Sequence, residues 1–171
     1  QRMLSLNLIV RAVILHEDKL LATVLNDGTR APFYTLLGGH QRMGESLLEC
    51  VVREVFEEVG LEVAPSRLLY IAENFFSRGS ARMHEIGYYF LCTPVHLPSG
   101  PLLRSLRASH SEMISPELLS ADELAACDFQ PGLLRDVLAD DMRKRFEGGP
   151  KLLVVNELPG DSTAIGGVYK L

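Results

Sequence analysis

Three glutamates lie close together in the segment 38–63, which reads GGHQRMGESLLECVVREVFEEVGLEV. Glu54, Glu57 and Glu58 are three and four residues apart, a spacing that brings side chains together on one face of a helix. Like charges at this spacing repel each other. Hard divalent cations such as Mg²⁺ bind carboxylate oxygens and neutralise such a group. The spacing therefore predicts either a metal site or a solvated acidic helix face.

The flanking residues predict the helix that carries these carboxylates. Ser46 and Glu49 form a capping box, which marks a helix start, and Gly60 suits the residue just past a helix end. An apolar stripe with helical spacing lies between these limits and consists of Leu48, Val51, Val52, Val55 and Val59. We expect the stripe to pack on a sheet and the glutamates to occupy the adjacent face.

The rest of the chain alternates irregularly between strand-like and helix-like segments. We expect a hairpin with strands at 6–15 and 20–26, a loop at 26–32, and a short strand at 33–39 that runs into a glycine turn. Later strands are expected at 67–76, 84–95, 111–115 and 151–158, a polar loop at 77–83, an irregular segment at 98–111, a cap at Ser120, a helix at 131–149, and a tail at 159–171. This pattern predicts an α/β (α+β) sandwich with a mixed sheet, in one domain over 1–171.

The overall composition narrows the classes of partner. The net charge is -5, with acidic and basic residues interspersed, which argues against broad nucleic-acid binding but not against a small anionic ligand. The chain has 3 cysteines and no CxxC pair, as is typical of a reducing compartment. Because no apolar run approaches the ~20 residues of a membrane span, we expect a soluble cytoplasmic protein without a signal peptide.

The spacing of the fixed residues in the glutamate segment resembles the Nudix box, the signature of the Nudix hydrolase superfamily. Gly39 and Glu45 are followed by Arg53-Glu54, then by Glu57-Glu58, and finally by Gly60-Leu61, with Val55 at the apolar position. The resemblance implies the α/β/α sandwich of that family. It also implies hydrolysis of a diphosphate linkage in a nucleoside diphosphate joined to another group X, with Mg²⁺, or Mn²⁺ in its place, as the cofactor.

The resemblance assigns roles to the residues of the motif. It implies that Glu54, Glu57 and Glu58 are metal ligands, with Glu57 and Glu58 at the core of the site and Glu54 as a ligand or as the base for water. The carbonyl of Gly38 or Gly39 is a further candidate ligand. Cations held in this way bridge a diphosphate and lower the pKa of the attacking water.

Two motif residues are expected to support the others. The resemblance implies that Glu45 supports the loop before the helix and that Arg53 orients the carboxylates, as an arginine fork can. Together with Glu54 and Glu57 they form the expected catalytic set. Gly38 allows the backbone to approach a phosphate closely.

Four residues outside the fixed positions are further candidates. Arg42 stands where many relatives carry a glutamate, and it is expected either to contact a phosphate or to be solvated. Arg78 and Arg82 flank the polar loop and could clamp a phosphate. Strand alternation places Glu85 on one face with Gly87 and Tyr89, where it either completes the metal site or lies at the strand edge.

The substrate beyond the diphosphate stays open at the level of sequence. The proline that marks many ADP-ribose pyrophosphatases is replaced by Ser77, and no signature of NADH or coenzyme A pyrophosphatases is present. The alternatives are removal of modified nucleoside triphosphates and a nucleotide-sensing domain without turnover. A small nucleotide is the expected partner, and a homodimer is a further possibility.

Overall fold

A mixed β-sheet runs through the centre of the molecule in a computed structural model that describes residues 4–26, 28, 30–97, 100–106, 114–158 and 166–171. Its described strands are β1 (Leu4–His16), β2 (Lys19–Leu25), β3 (Phe33–Thr35), β4 (Gly38–His40), β5 (Val63–Arg78), β6 (Ala81–Pro94), β7 (Ile114–Leu119), β8 (Lys151–Asn156) and β9 (Gly167–Lys170). The described helices are α1 (Leu47–Val59), α2 (Leu102–Ser105), α3 (Ala121–Ala126) and α4 (Gly132–Arg143). No helix in these parts of the chain is long and apolar enough to cross a membrane.

The strand order is β3-β2-β1-β6-β5-β8-β9, with β4 paired to β1 and β7 paired to β2. The β1–β6 and β5–β8 pairs are parallel, and the other pairs are antiparallel. The prediction of a mixed sheet is therefore confirmed. Because β4 pairs only with the middle of β1, the glycine turn that β4 contains lies beside the central strands.

Helices cover both faces of the sheet. The α4-side core includes Val13, Tyr70, Ala72, Tyr89, Leu134, Leu138 and Leu153. The α1-side core includes Val10, Ala12, Ile14, Val51, Val55, Val59, Phe90 and Cys92. Alternate residues of β1 and of β6 enter opposite cores, as the two-residue period of a strand requires. The α+β sandwich expected from the sequence is confirmed.

Helix α1 has the limits that its capping signals predict. The Ser46 side chain accepts a hydrogen bond from the Glu49 backbone, the Glu49 side chain accepts one from Ser46, and Gly60 has φ 70°. The predicted apolar stripe is correct for Val51, Val55 and Val59, which are buried. Val52 is partly buried against the same core, and the prediction is wrong at Leu48, which is 49 % exposed. Cys50 is fully buried instead, because the helix is turned toward β4, where the Cys50 sulfur lies 4.0 Å from the Gly39 carbonyl oxygen.

The polar loop predicted at 77–83 is wrong. Strands β5 and β6 continue through this segment and are joined by a two-residue turn, with Arg78 paired to Ala81. Gly79 occupies the turn with φ 59°, a conformation that glycine adopts without steric cost. Arg78 and Arg82 are therefore strand residues at the tip of a long hairpin.

Three further boundaries differ from the predicted ones. The strand expected at 111–115 is β7, which begins at Ile114 and continues to Leu119 through pairing with β2; residues 107–113 lie outside the described part of the chain. The C-terminal helix ends at Arg143, before two residues with positive φ, Arg145 and Phe146. The tail contains β9, which pairs with β8.

Candidate active site

The glycine turn and helix α1 meet through two close contacts. The Gly38 backbone N–H donates to Glu58 Oε2 at 2.9 Å. A Cβ atom added to Gly39 would lie 2.5 Å from Glu54 Oε2, and one added to Gly38, whose φ is 144°, would lie 2.0 Å from the Val10 carbonyl oxygen. Both positions therefore favour glycine. A side chain at Gly38 would collide with the backbone of β1, and one at Gly39 would collide with the carboxylate of Glu54.

Arg53 connects the carboxylates of the motif. Its Nε and Nη2 atoms donate to the two Glu45 carboxylate oxygens at 2.6 and 2.9 Å. Its Nη1 atom donates to Glu54 Oε1 at 2.7 Å and to Glu57 Oε2 at 3.1 Å. The Nη2 atom also donates to the His40 carbonyl oxygen at 3.2 Å. One guanidinium thus joins the loop before α1 to two carboxylates on the helix, as the resemblance implies.

The charges of this network are strongly coupled. The Arg53 hydrogen bond, followed by that from the Arg42 backbone N–H, lowers the pKa of Glu45 to about 2. The Glu45 carboxylate in turn raises the pKa of Arg53. Glu45 and Arg53 side chains are 13 % and 17 % exposed, so their ion pair is partly shielded from solvent and more persistent than a surface pair.

Glu58 has a different electrostatic environment. Burial raises its pKa to about 7, and the negative charges of Glu54 and Glu57 add to the increase. The Gly38 N–H and the positive charge of Arg11 act in the opposite direction. A carboxylate that is buried beside two others gains most from a nearby cation, because a cation favours the charged form.

Arg11 is a member of the site that the sequence reasoning missed. Its Nη1 atom donates to the carbonyl oxygens of Leu36 and Gly38, both at 3.0 Å. It thereby fixes the turn that presents Gly38 to Glu58. A signal was present, because an arginine inside the apolar run LIVRAVIL is an informative exception to strand hydrophobicity.

The donor set of the site suits a hard cation. Among the described residues, no three His, Cys, Asp or Glu side chains form a ready-made metal cluster, since Arg53 engages both Glu54 and Glu57. The available donors are nevertheless all oxygens, as Mg²⁺ prefers. The unfavourable burial of Glu58 beside Glu54 and Glu57 is the feature that a divalent cation would relieve.

Arg42 lies at the edge of the site and contacts two of its carboxylates. Its Nη2 atom contacts Glu57 Oε1 at 3.2 Å, with both side chains about half exposed or more. Its backbone N–H donates to Glu45 Oε2 at 3.0 Å. A pair of this exposure is weak, so an incoming phosphate can compete with Glu57 for the Arg42 side chain.

The other three candidates lie on the long strands β5 and β6, outside the motif. Glu85 is paired with Asn7 on β1, and alternation from Tyr89 places its side chain on the face that carries α4. Its role as a metal ligand stays a prediction. Tyr88 is in register with Val10 on β1, and Val10 is in register with Gly39 on β4. Arg82 precedes Tyr88 by six residues, so its backbone lies about 20 Å along β6 from the level of Gly39. Arg78 lies at the same hairpin tip, so the contact of Arg78 or Arg82 with a phosphate stays a prediction.

The sequence and the fold both match known proteins. A model of the NUDIX domain matches residues 6–138. The fold is similar to a NUDIX hydrolase from Nitrosomonas europaea, at 19% identity, 88% coverage of this chain, 79% coverage of that chain and a TM-score of 0.66. It is also similar to an ADP-ribose pyrophosphatase from Streptococcus suis (23% identity, 86% and 98% coverage, TM-score 0.58) and to a MutT protein from Bacillus halodurans (18%, 90% and 91%, TM-score 0.61). At these identities the structural similarities show a shared fold.

Proposed function

Since the chain belongs to the NUDIX domain family, we propose that it hydrolyses a diphosphate linkage in a small nucleotide with the help of a divalent cation. The observation that carries this proposal is the Arg53 network, which gathers Glu45, Glu54 and Glu57 at the glycine turn. A merely solvated acidic face needs neither the shared guanidinium nor a glycine against Glu54. The fold neighbours that include a pyrophosphatase and a MutT protein are consistent with this reaction class.

We infer that Glu54, Glu57, Glu58 and the Gly39 carbonyl oxygen hold the cation, which is Mg²⁺ or Mn²⁺. When bound, the cation supplies neutralisation of the diphosphate charge and a more acidic water. Glu85, which strand alternation places on the face that carries α4, stays a predicted further ligand.

The chain's own residues have separate tasks in this proposal. Glu45 stays ionised over the whole physiological pH range, because Arg53 holds its pKa near 2, and it anchors the guanidinium. Arg53 then fixes Glu54 against Gly39, where the Glu54 carboxylate orients or deprotonates the attacking water. Arg42 is free to exchange its exposed contact with Glu57 for a substrate phosphate.

Glu57→Gln tests the proposed site. We expect kcat to fall by about 10³-fold, the range for loss of a group that stabilises charge in the transition state. Folding should be almost unchanged, because Glu57 is 47 % exposed and its ion pairs are partly solvated. Turnover is measured with Mg²⁺ and with Mn²⁺ over nucleoside triphosphates, dinucleotides, nucleotide sugars and coenzyme A.

The matched control is Glu147→Gln, a change of the same chemistry at an exposed residue beyond α4. It should leave both kcat and the melting temperature unchanged. Full turnover in Glu57→Gln would show that the site is wrongly placed. Absence of product from every substrate, together with clear nucleotide binding by the wild type, would favour a sensing domain. A homodimer and a cytoplasmic location stay predictions, which sedimentation and cell fractionation check.

A further inference from the structure

Arg11 differs from the other residues of the candidate site because it lies outside the motif, within strand β1. Its neighbours along the strand, Val10 and Ala12, are fully buried. A charged side chain in such surroundings is unfavourable unless hydrogen bonds compensate for the water that it loses. The contacts of Arg11 therefore indicate what the residue does.

The Nη1 atom of Arg11 holds the glycine turn from the side of β1. It donates to the carbonyl oxygens of Leu36 and Gly38, both at 3.0 Å. The carbonyl between them, that of Leu37, accepts from the Ala12 backbone N–H at 2.9 Å. Three successive carbonyls of the turn are thus bound by two adjacent residues of one strand.

The turn needs this restraint because its own residues do not supply it. Gly38 and Gly39 have no side chains, and a Cβ atom at either position would collide with neighbouring atoms. Glycine has the widest choice of backbone conformations, so a turn built on two glycines keeps one geometry only when its neighbours hold it. The Gly38 N–H is held by Glu58 Oε2 at 2.9 Å, and the carbonyl of the same residue is held by Arg11.

The Gly38 carbonyl is also the link to Gly39. Because a peptide unit is planar, a hydrogen bond to this carbonyl fixes the plane that joins the two glycines and limits the directions open to the Gly39 carbonyl. We propose that Arg11 is a positioning residue of the metal site, which holds the turn so that the Gly39 carbonyl oxygen and the Glu58 carboxylate face the same cation. The inference rests on the proposed function, since it takes these two groups to be ligands.

The two arginines of the site use their donors in different ways. Arg53 donates from Nε, Nη1 and Nη2 to the carboxylates of Glu45 and Glu54. Arg11 holds the turn from a single nitrogen atom. A lysine ammonium also carries its donors on one nitrogen. Lysine can therefore take the place of Arg11, whereas it cannot reproduce the fork of Arg53.

Binding of Mn²⁺ to the metal-free protein tests the inference without requiring turnover. Electron paramagnetic resonance measures this affinity for the wild type and its variants. Arg11→Met, which removes the donors, should bind Mn²⁺ about 10-fold more weakly, as is typical for loss of a group that orients a metal ligand. Arg11→Lys should recover most of the affinity, and its kcat should exceed that of Arg53→Lys.

The direction of the change separates positioning from charge. The positive charge of Arg11 acts on Glu58. If this charge were the only influence of Arg11 on the site, its removal would tighten the binding of a cation. Tighter or unchanged Mn²⁺ binding by Arg11→Met would therefore overturn the inference.

Arg67→Met is the matched control. Arg67 is also a strand arginine that donates to two backbone carbonyl oxygens, that of Gly148 at 3.1 Å and that of Phe146. Phe146 belongs to the α4-side core. Arg67→Met should lower the melting temperature and leave the Mn²⁺ affinity of the folded protein unchanged.

Two further results would contradict the inference. One is a loss of Mn²⁺ affinity in Arg67→Met as large as that in Arg11→Met, and the other is an equally large loss in a folded Arg11→Lys protein. If Arg11→Met does not fold, Arg11→Gln, with a shorter polar side chain, provides the same comparison. No Mn²⁺ binding by the wild type would refute the proposed metal site and the inference with it. The expected affinities without hydrolysis of any substrate would support the inference and refute only the proposed reaction.

Discussion

Gly39→Ala should separate the activity of this protein from its stability. The new Cβ atom would lie 2.5 Å from both Cδ and Oε2 of Glu54 and 2.7 Å from Oε1. An ordinary contact needs about 3.5 Å, so the carboxylate must move by about 1 Å. The Glu54 side chain is flexible and can make this movement, but it then loses its position against the turn and beside Arg53.

The two effects of this substitution differ greatly in size. A misplacement of about 1 Å in a catalytic group lowers the rate by about 10²-fold. The free energy of unfolding should change by less than about 1 kcal/mol. The backbone of Gly39 does not have the positive φ that disfavours alanine, and alanine lowers the conformational entropy of the unfolded chain. Steady-state kinetics and thermal unfolding on the same preparation measure both quantities.

Gly38→Ala is the matched comparison. Its Cβ atom would lie 2.0 Å from the Val10 carbonyl oxygen, and its φ of 144° is unfavourable for alanine. Neither the backbone of β1 nor the turn can move away cheaply, so we expect a loss of about 2–5 kcal/mol in unfolding free energy. A Gly39→Ala protein with wild-type kcat would refute the close role of Glu54, and one as unstable as Gly38→Ala would refute the view that only a side chain has to move.

Two further perturbations follow from the same network. Arg53→Lys should lower kcat at least 10-fold and the free energy of unfolding by about 2 kcal/mol. The reason is that an ammonium group cannot make the bidentate contact with Glu45 and also reach Glu54. Wild-type values in steady-state kinetics and denaturant titration would contradict this expectation. The folded pKa of Glu58 is about 7, whereas its usual value is 4.5. Between these pH values the folded state keeps a proton that the unfolded state loses, so raising the pH favours unfolding. In EDTA, the free energy of unfolding should therefore fall by about 3 kcal/mol as the pH rises from 4.5 to 7. Urea titrations should show this slope flattened by Mg²⁺ and absent in Glu58→Gln, and a slope that persists in that variant would assign it to another group.

The parts of the fold that depend on neighbouring residues were predictable from the sequence. The limits of α1 follow from Ser46, Glu49 and Gly60, whose capping contacts are local. The hairpin tip was predicted as a loop because its residues are polar. In the structure, Arg82 pairs with Ser77 across the turn and with Leu4 on β1. The second pairing joins residues so distant in sequence that it leaves no local signal.

The candidate site was predictable to a similar degree. The motif spacing identified Glu45, Arg53 and the helix glutamates, whose geometry follows from one helix and the loop before it. Arg11 was missed because its position depends on strand register. Register decides which polar residue of an otherwise apolar strand meets the site, and strand periodicity alone does not reveal it.

The parallel pairing of β1 with β6 has a consequence for how the chain folds during synthesis. Leu4 pairs with Arg82, 78 residues later, and Tyr70 pairs with Lys151 on β8, 81 residues later. At about 5–20 residues per second, the ribosome needs roughly 4–16 s to deliver the partner of β1. During this interval the apolar strand β1 and, once it has been made, the valine face of α1 have no completed sheet to bury them. The nascent chain should therefore expose apolar surface until the partner strands of β1 and β5 have been made and helix α1 can be packed on the sheet.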